Sequence, residues 1–255
     1  MGVFMEEQNF ENNKLDLIIS NFTKIIQHDQ NNASAYINRG DAFYNRRINR
    51  KISNKKEEEQ CIIDEDQAIL DYSKALQINP DNDCVYLKRG NVYFNHIHSP
   101  NSLCLDNIKK AFADFGKAIR LNPNNEEAYY CRANAHARIR QYDQAITNYT
   151  EVININPNNA SAFHGRGYMY FCKGDLDKTI VDYTEVIRLT PNSCRAYWDR
   201  GIIYFDNGDY NHAITDFATV IRINPDCKEA HIILNNYIND KEEFMRAVAD
   251  LPKSY

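Results

Sequence analysis

Several things are scarce in this chain, and each scarcity closes off a class of explanation. There is one tryptophan among 255 residues, and glycine and proline number only nine and seven. That is too little for a collagenous or low-complexity chain. No run approaches the roughly 18 apolar residues needed to span a bilayer, so no membrane segment is expected. The start, MGVFMEEQNFENNK, lacks a basic region followed by an apolar core, so no secretory signal is read there. Glu6 stands where an N-myristoylation pattern wants Ser or Thr. The seven cysteines are odd in number and irregularly spaced, without a C-x-x-C. They read as reduced thiols, and the chain as cytoplasmic. Basic excess is also missing: the formal net charge is -5. A domain whose main ligand is nucleic acid is usually basic, so nucleic acid is not an expected partner.

The chemistry-bearing motifs are scarce too. No phosphate-cradling G-x-x-x-x-G-K occurs, and no Ser or Cys has a His placed by motif. His96, His98 and Cys104 could give three zinc ligands, but they fall beside Pro100 in an irregular stretch with no fourth ligand spaced to match. No catalytic residue, metal or other cofactor is therefore expected, and the chain does not read as an enzyme.

What the chain does have is a period, best seen in ASAFHGRGYMYFCKGDLDKTIVDYTEVIRLTPNS, residues 160–193. Pro157, Pro191 and Pro225 are spaced by 34. Aligned on them, Tyr129, Phe163 and Tyr197 fall at the fourth place, and Arg132, Arg166 and Arg200 at the seventh. Ala133, Gly167 and Gly201 take the eighth, Tyr142, Leu176 and Tyr210 the seventeenth, and Tyr149, Tyr183 and Phe217 the twenty-fourth. Val152, Val186 and Val220 complete the set. Offsets of three, four and seven within each half are helical, so each unit is a helix pair. The small eighth residue allows close approach to Ala145 and Ala213 of the second helix, with Thr179 in the middle unit. Gly174 and Gly208 suit a left-handed helix end, and Asp175 and Asp209 can cap the helix that follows. Arg140-Gln141 replaces that pair in one unit, which predicts a turn of different detail.

This spacing and pattern resemble the tetratricopeptide repeat (TPR) family. The resemblance implies an all-α fold, a right-handed solenoid superhelix of antiparallel helix pairs. The domain organisation then follows. Residues 1–10 are a flexible tail, and 11–32 form an N-terminal capping helix, a half repeat carrying Ile18, Phe22 and Ile25. Repeat one is 33–82, with an inter-helix insertion at about 46–63. Repeat two is 83–125, with an insertion at about 96–105. Repeats three to five are 126–159, 160–193 and 194–227, and 228–255 is a C-terminal capping helix and tail. The two insertions read as surface loops, or else as a second interaction site. The first is basic from Arg46 to Lys56 and acidic from Glu57 to Glu59, which suggests a solvated loop paired with itself.

In this family the first helices line a concave face that receives an extended peptide or a partner helix. The resemblance places Asn91, Phe94, Tyr130, Asn134, Tyr168, Phe171, Trp198, Ile202 and Phe205 on that face, with Arg195 at a second-place position. Their fifth-ninth-twelfth stripe is separate from the stripe that packs inward. An apolar surface of that size marks a protein-interaction site, and Trp and Tyr are favoured anchors. Family members that grip acidic heat-shock-protein tails need a clamp of Lys, Asn and Arg. The three possible registers place Ile37, Asp41, Lys88, Glu127 and Cys131, or Leu87, Asn91, Cys131, Ser161 and Gly165, or Tyr130, Asn134, Gly165, Arg195 and Asp199. No carboxylate clamp is evident in any of them. The seventh-place arginines Arg39, Arg89, Arg132, Arg166 and Arg200 read as stems packed along the inter-helix seam, reaching an acid or carbonyl, rather than as anion ligands. The expected function is a non-catalytic adaptor or scaffold that binds a peptide or helix of a partner protein. The alternative is a chain that self-associates through the groove or through its C-terminal cap.

Overall fold

The computed structural model describes residues 2–50, 54–95 and 103–239, and their side chains over 13–50, 54–95 and 106–235. Among the described residues there are twelve α-helices and no strand. They form two compact units, Met1–Ile139 and Arg140–Tyr255. The first holds α1 (Gly2–His28), α2 (Ala33–Asn49), α3 (Lys55–Ile78), α4 (Asp83–Asn95), α5 (Leu103–Leu121) and α6 (Glu126–Arg138). The second holds α7 (Tyr142–Ile155), α8 (Ala160–Cys172), α9 (Leu176–Leu189), α10 (Cys194–Asp206), α11 (Tyr210–Ile223) and α12 (Lys228–Asn239). Within each unit every helix packs on the next in sequence, as in a solenoid.

Local chemistry sets the helix starts. Asn32, Asn54, Asn125, Asn159 and Ser193 each accept a backbone N–H from three residues ahead, as do Asp175 and Asp209. Each such bond satisfies a donor that the first helical turn leaves over. Gly174 and Gly208 both take φ 78°, the left-handed turn expected of them. The turn at Arg140-Gln141 keeps that backbone path. Arg140 is held at φ 58°, and Gln141 gives the helix no side-chain cap bond. A non-glycine residue in that region costs about 1 kcal/mol. The eighth-place glycine is needed for close approach at Gly90, where a Cβ would sit 2.7 Å from Phe115 Cε1. Thr179, the exception opposite Gly167, is buried because its hydroxyl donates to Asp175 O at 2.8 Å.

Apolar packing alternates with a repeated ionic clasp. Ala35, Tyr36, Ala68, Tyr72, Val85 and Val92 form one core in the first unit, and Leu87, Ala111, Phe115 and Ala128 a second. Phe163, Val186 and Ala196 form a core in the second unit. Beside each core the seventh-place arginine binds both oxygens of a buried aspartate on the following helix. The pairs are Arg39–Asp71, Arg89–Asp114, Arg166–Asp182 and Arg200–Asp216, at 2.7–2.9 Å. The remaining Nη1 donates to a hydroxyl on the preceding helix: Thr23, Ser73, Thr150 or Thr184. The guanidinium also lies over the fourth-place ring in each case. These arginines are structural, as their place on the seam suggested.

Two expectations change. The N-terminal stretch expected as a tail is helical from Gly2, continuous with the capping helix. Its Met, Glu and Gln residues favour helix, and no proline interrupts it. The first insertion is largely helix rather than surface loop. It lengthens α2 to 17 residues against 13 in α4, and α3 to 24 against 14 in α7. Within it Lys55 makes an exposed pair with Glu59 at 3.9 Å, but its first arginines reach past Glu57–Glu59. Arg46 binds Asp64 at 2.5 and 3.1 Å and Asp16 of α1, and Arg47 binds Glu65. Asp64 is 0% exposed, so these are inter-helix ties inside a hairpin. Most of the second insertion, 96–102, lies outside the described residues.

The clasp should carry measurable stability. Asp182→Ala leaves the Arg166 guanidinium half-buried without its carboxylate and should cost about 2–4 kcal/mol. Asp143→Ala removes only the exposed pair with Lys173 and should cost under about 1 kcal/mol. Urea unfolding midpoints check both, and equal losses would refute a structural role for the clasp.

Candidate interaction surface

The first helices of the repeats carry the residues singled out in the sequence, and the two units hold different chemistry. In the second unit, α8 and α10 are joined side by side. His164 Nε2 meets Asp199 Oδ2 at 2.9 Å, and Arg195 Nε donates to both oxygens of Asp199 at 2.8 and 3.0 Å. Burial pushes the Asp199 carboxyl up, but the hydrogen bonds from His164 and Arg195 outweigh it and hold the group below its ordinary value. The His164 ring stacks on Tyr183 of α9, 5.4 Å between centroids.

Beside this polar tie lie the apolar residues. Tyr168 is 50% exposed and Phe171 37%, their rings 6.3 Å apart on α8. Trp198, Ile202 and Phe205 share one stripe of α10 and are half-buried. Trp198 sets its edge against buried Phe217 at 5.3 Å, and Phe205 meets Tyr210 at 5.4 Å. The α10 rings therefore lean back on α11, while the α8 pair stands open to solvent. The second-place Arg195 points to Asp199 rather than away from the helix.

In the first unit the same face is polar. A cavity of about 230 Å³ is lined by Asp41, Tyr44, Asn45, Tyr72, Lys88 and Asn91. The Asp41 carboxylate accepts from the Tyr72 hydroxyl at 2.7 Å and from Lys88 Nζ at 2.5 Å. Burial and the charge of Asp41 together push the Tyr72 hydroxyl far above its ordinary range. Asn95 Nδ2 donates to Tyr44 Oη at 2.6 Å, a second tie between α4 and α2. Lys88 is the one cation at the clamp places read from repeat one, and Asp41 already holds it. Phe94 lies under the Arg138 guanidinium at 5.4 Å. Tyr130 and Asn134 are half-buried on α6. Between them Cys131 has its thiol pushed up to about 12, mainly by burial and then by Glu127, with the Asn91 amide acting the other way.

The ten residues thus do not share one chemistry. Tyr168, Phe171, Trp198, Ile202, Phe205 and Arg195 stand on α8 and α10. Asn91 and Phe94 stand on α4, and Tyr130 and Asn134 on α6. On the first unit this face is polar around the cavity: Asn45 and Tyr72 were not read as part of it, Lys88 was weighed as a clamp place, and Asp41 as a clamp place and a ninth-place residue of the stripe. Among the described residues no group of three His, Cys, Asp or Glu side chains stands ready for a metal. His96 and His98 lie outside the described residues, as does the Cys104 side chain. No helix among the described residues is long and apolar enough to cross a membrane.

Comparison with known families finds a model described as TPR repeat at residues 65–96, 141–174 and 167–208. Two further models, both described as tetratricopeptide repeat, match 115–147 and 194–227. A search of curated protein sequences finds no match. Among solved structures the chain is similar to a crystal structure of MamA, with 26% identity and a TM-score of 0.57, covering 68% of this chain and 96% of that one. It is also similar to YrrB, described as a TPR protein with an unusual peptide-binding site. That likeness has 21% identity and a TM-score of 0.61, covering 84% and 97% of the two chains. A third likeness is to pilF of Pseudomonas aeruginosa, at 13% identity and a TM-score of 0.62, covering 92% and 96%. The latter two speak to fold alone.

The tie at Asp199 predicts an acid limb of stability. A carboxyl held below its ordinary 3.8 in the folded chain binds protons more readily when unfolded. Its contribution is therefore present above that pH and lost as pH falls below it. Asp199→Asn should lower stability by about 1 kcal/mol near pH 5, and the gap to the parent chain should narrow towards about pH 3. A gap that widens on acidification, read from urea midpoints, would contradict the assignment.

Proposed function

The chain belongs to the tetratricopeptide repeat family, and from that premise we propose that it is a non-catalytic adaptor or scaffold. Stacked helix pairs of this family serve protein interaction in general, and the chain is a protein-interaction scaffold in that sense. The finer reading concerns where and what it binds. The surface formed by α8 and α10 receives a peptide or a helix of a partner protein, in the cytoplasm. The observation that carries this reading is the open aromatic pair Tyr168 and Phe171, standing beside the half-open stripe of Trp198, Ile202 and Phe205. Large rings left in water at that density are costly unless a partner covers them. Their rigidity keeps the entropy of capture low.

The His164–Asp199–Arg195 tie supports the same reading from the polar side. It holds α8 and α10 in register before a ligand arrives, so little order has to be created on binding. On the first unit, taken by itself, Asn91 and Asn134 would hold the backbone of a bound segment through their amides, with Tyr130 and Phe94 as its rings.

Replacing both open rings tests the site. Tyr168→Ala with Phe171→Ala should weaken partner capture at least about tenfold, since two anchor truncations cost over about 1 kcal/mol each. Helical content should stay unchanged, because neither ring is buried. Trp198, the one tryptophan, gives a direct readout: its emission should shift when the partner binds the parent chain. Unchanged capture by the double variant would move the site off α8. If the parent sediments as a concentration-dependent dimer and the double variant as a monomer, a second copy of the chain is the occupant.

A further inference from the structure

Repeat five differs from the others in carrying cysteine at both its first and its last place: Cys194 opens α10 and Cys227 immediately precedes α12. The same two places are occupied in repeat two by Asp83 and Asn125. There the side chains meet, with Asn125 Nδ2 donating to Asp83 Oδ2 at 3.0 Å and Asn122 Nδ2 joining at the same distance. The repeat geometry thus turns the first residue of one leading helix towards the residue that caps the next.

The cysteines sit in that arrangement. Cys194 Sγ lies 3.6 Å from Val220 O in the last turn of α11, on the side of the Asn224-Pro225 turn. Cys227 is anchored in the same turn. Its N–H donates to Asn224 O at 3.2 Å, and its carbonyl accepts from His231 N at 3.3 Å, so it caps α12 through its backbone. Its thiol lies 3.7 Å from Glu229 Oε2. Both thiols are free and partly exposed. Burial pushes the Cys194 thiol up, and a negative charge on Cys227 would push it further.

We propose that Cys194 and Cys227 are a redox pair, which a low-molecular-weight disulfide converts to an intramolecular disulfide that staples α12 to repeat five. One thiol, as its thiolate, attacks the small disulfide, forming a mixed disulfide and releasing one small thiol. The second protein thiolate then attacks the bonded protein sulfur and releases the other. The protein loses two electrons and two protons, and the small disulfide gains them as two thiols. The bond closes a ring over residues 194–227 that contains all of α10 and α11. α12 packs on α11, so closing the ring holds its start in place, and reduction releases it. The remaining described cysteines, Cys61, Cys84, Cys131 and Cys172, stand on other helices.

The test uses the full chain, treated with oxidised glutathione and compared with the fully reduced chain. A peptide map run without reductant should yield one peptide pair joined through Cys194 and Cys227. Amide exchange across 228–235 should slow, and the unfolding midpoint of the oxidised chain should rise. Cys227→Ser should abolish the joined pair and the rise together, while Cys131→Ser should leave both. Only glutathione adducts on the two residues, or links among other cysteines, would overturn the pairing. A joined pair with unchanged exchange in α12 would overturn the staple.

Discussion

The structure depends most on the bidentate ion pair between a seventh-place arginine and a buried aspartate one helix on. Alone it would be a doubtful source of stability, since taking two charges out of water offsets much of their attraction. Here the desolvation is limited by what surrounds the pair. The guanidinium spends its donors on both carboxylate oxygens and on a hydroxyl of the preceding helix, and its face lies on an aromatic ring. Arg200 thereby touches α9 through Thr184 and α11 through Asp216 while rooted in α10. One side chain fixes three successive helices, and repeating it fixes the stacking offset from repeat to repeat. Apolar cores of alanine, valine and rings allow helices to slide by small amounts, whereas a fork matched to a carboxylate does not.

The fold was legible in the sequence because its strongest signals are periodic. Spacing by 34, the small eighth residue, and the Gly-Asp turns each predict backbone that the structure shows at Gly90, Gly174 and Gly208. The arginine partners were half legible. Asp182 and Asp216 recur in phase with Arg166 and Arg200, but an aspartate on a helix looks like a solvated residue until the neighbouring helix is placed. The first insertion was harder still. Its order of charges suits a loop paired with itself as well as a hairpin paired across. Only the burial of Asp64 and Glu65, which follow the obvious Glu57–Glu59 run, decides for the hairpin.

For the interaction surface, position was legible and exposure was not. The stripe of fifth, ninth and twelfth places follows from helical geometry alone. Whether a ring on it stands open depends on the second helix behind it. Trp198 finds Phe217 there and leans back, whereas Tyr168 and Phe171 meet chiefly each other. In the first unit the neighbours of the stripe are Asp41, Tyr72 and Lys88, and the face closes into a hydrogen-bonded cavity instead. The same scaffold position thus presents an apolar ledge in one unit and a charge-balanced pocket in the other.

Repeat three shows what the rest of the chain gains from its regularities. It has Arg132 at the seventh place, but Asn148 where the others carry aspartate, and the helix of repeat two that precedes it carries Gly116 where the corresponding helices carry Ser or Thr. The Asn148 amide donates to Gln144 O at 2.6 Å, within its own helix. Burial lowers the Arg132 guanidinium from its ordinary value, whereas the aspartate-bound arginines are raised. The same repeat carries the one non-glycine residue with positive φ among those described, Arg140, followed by a helix start with no side-chain cap bond. The division into two compact units falls between Ile139 and Arg140, inside this repeat. An amide in place of the aspartate at Asn148, a helix start with no side-chain cap bond and a positive φ at Arg140 therefore coincide at one place in the sequence. Each is a small change in residue type, and together they set this repeat apart in sequence from the two that follow it.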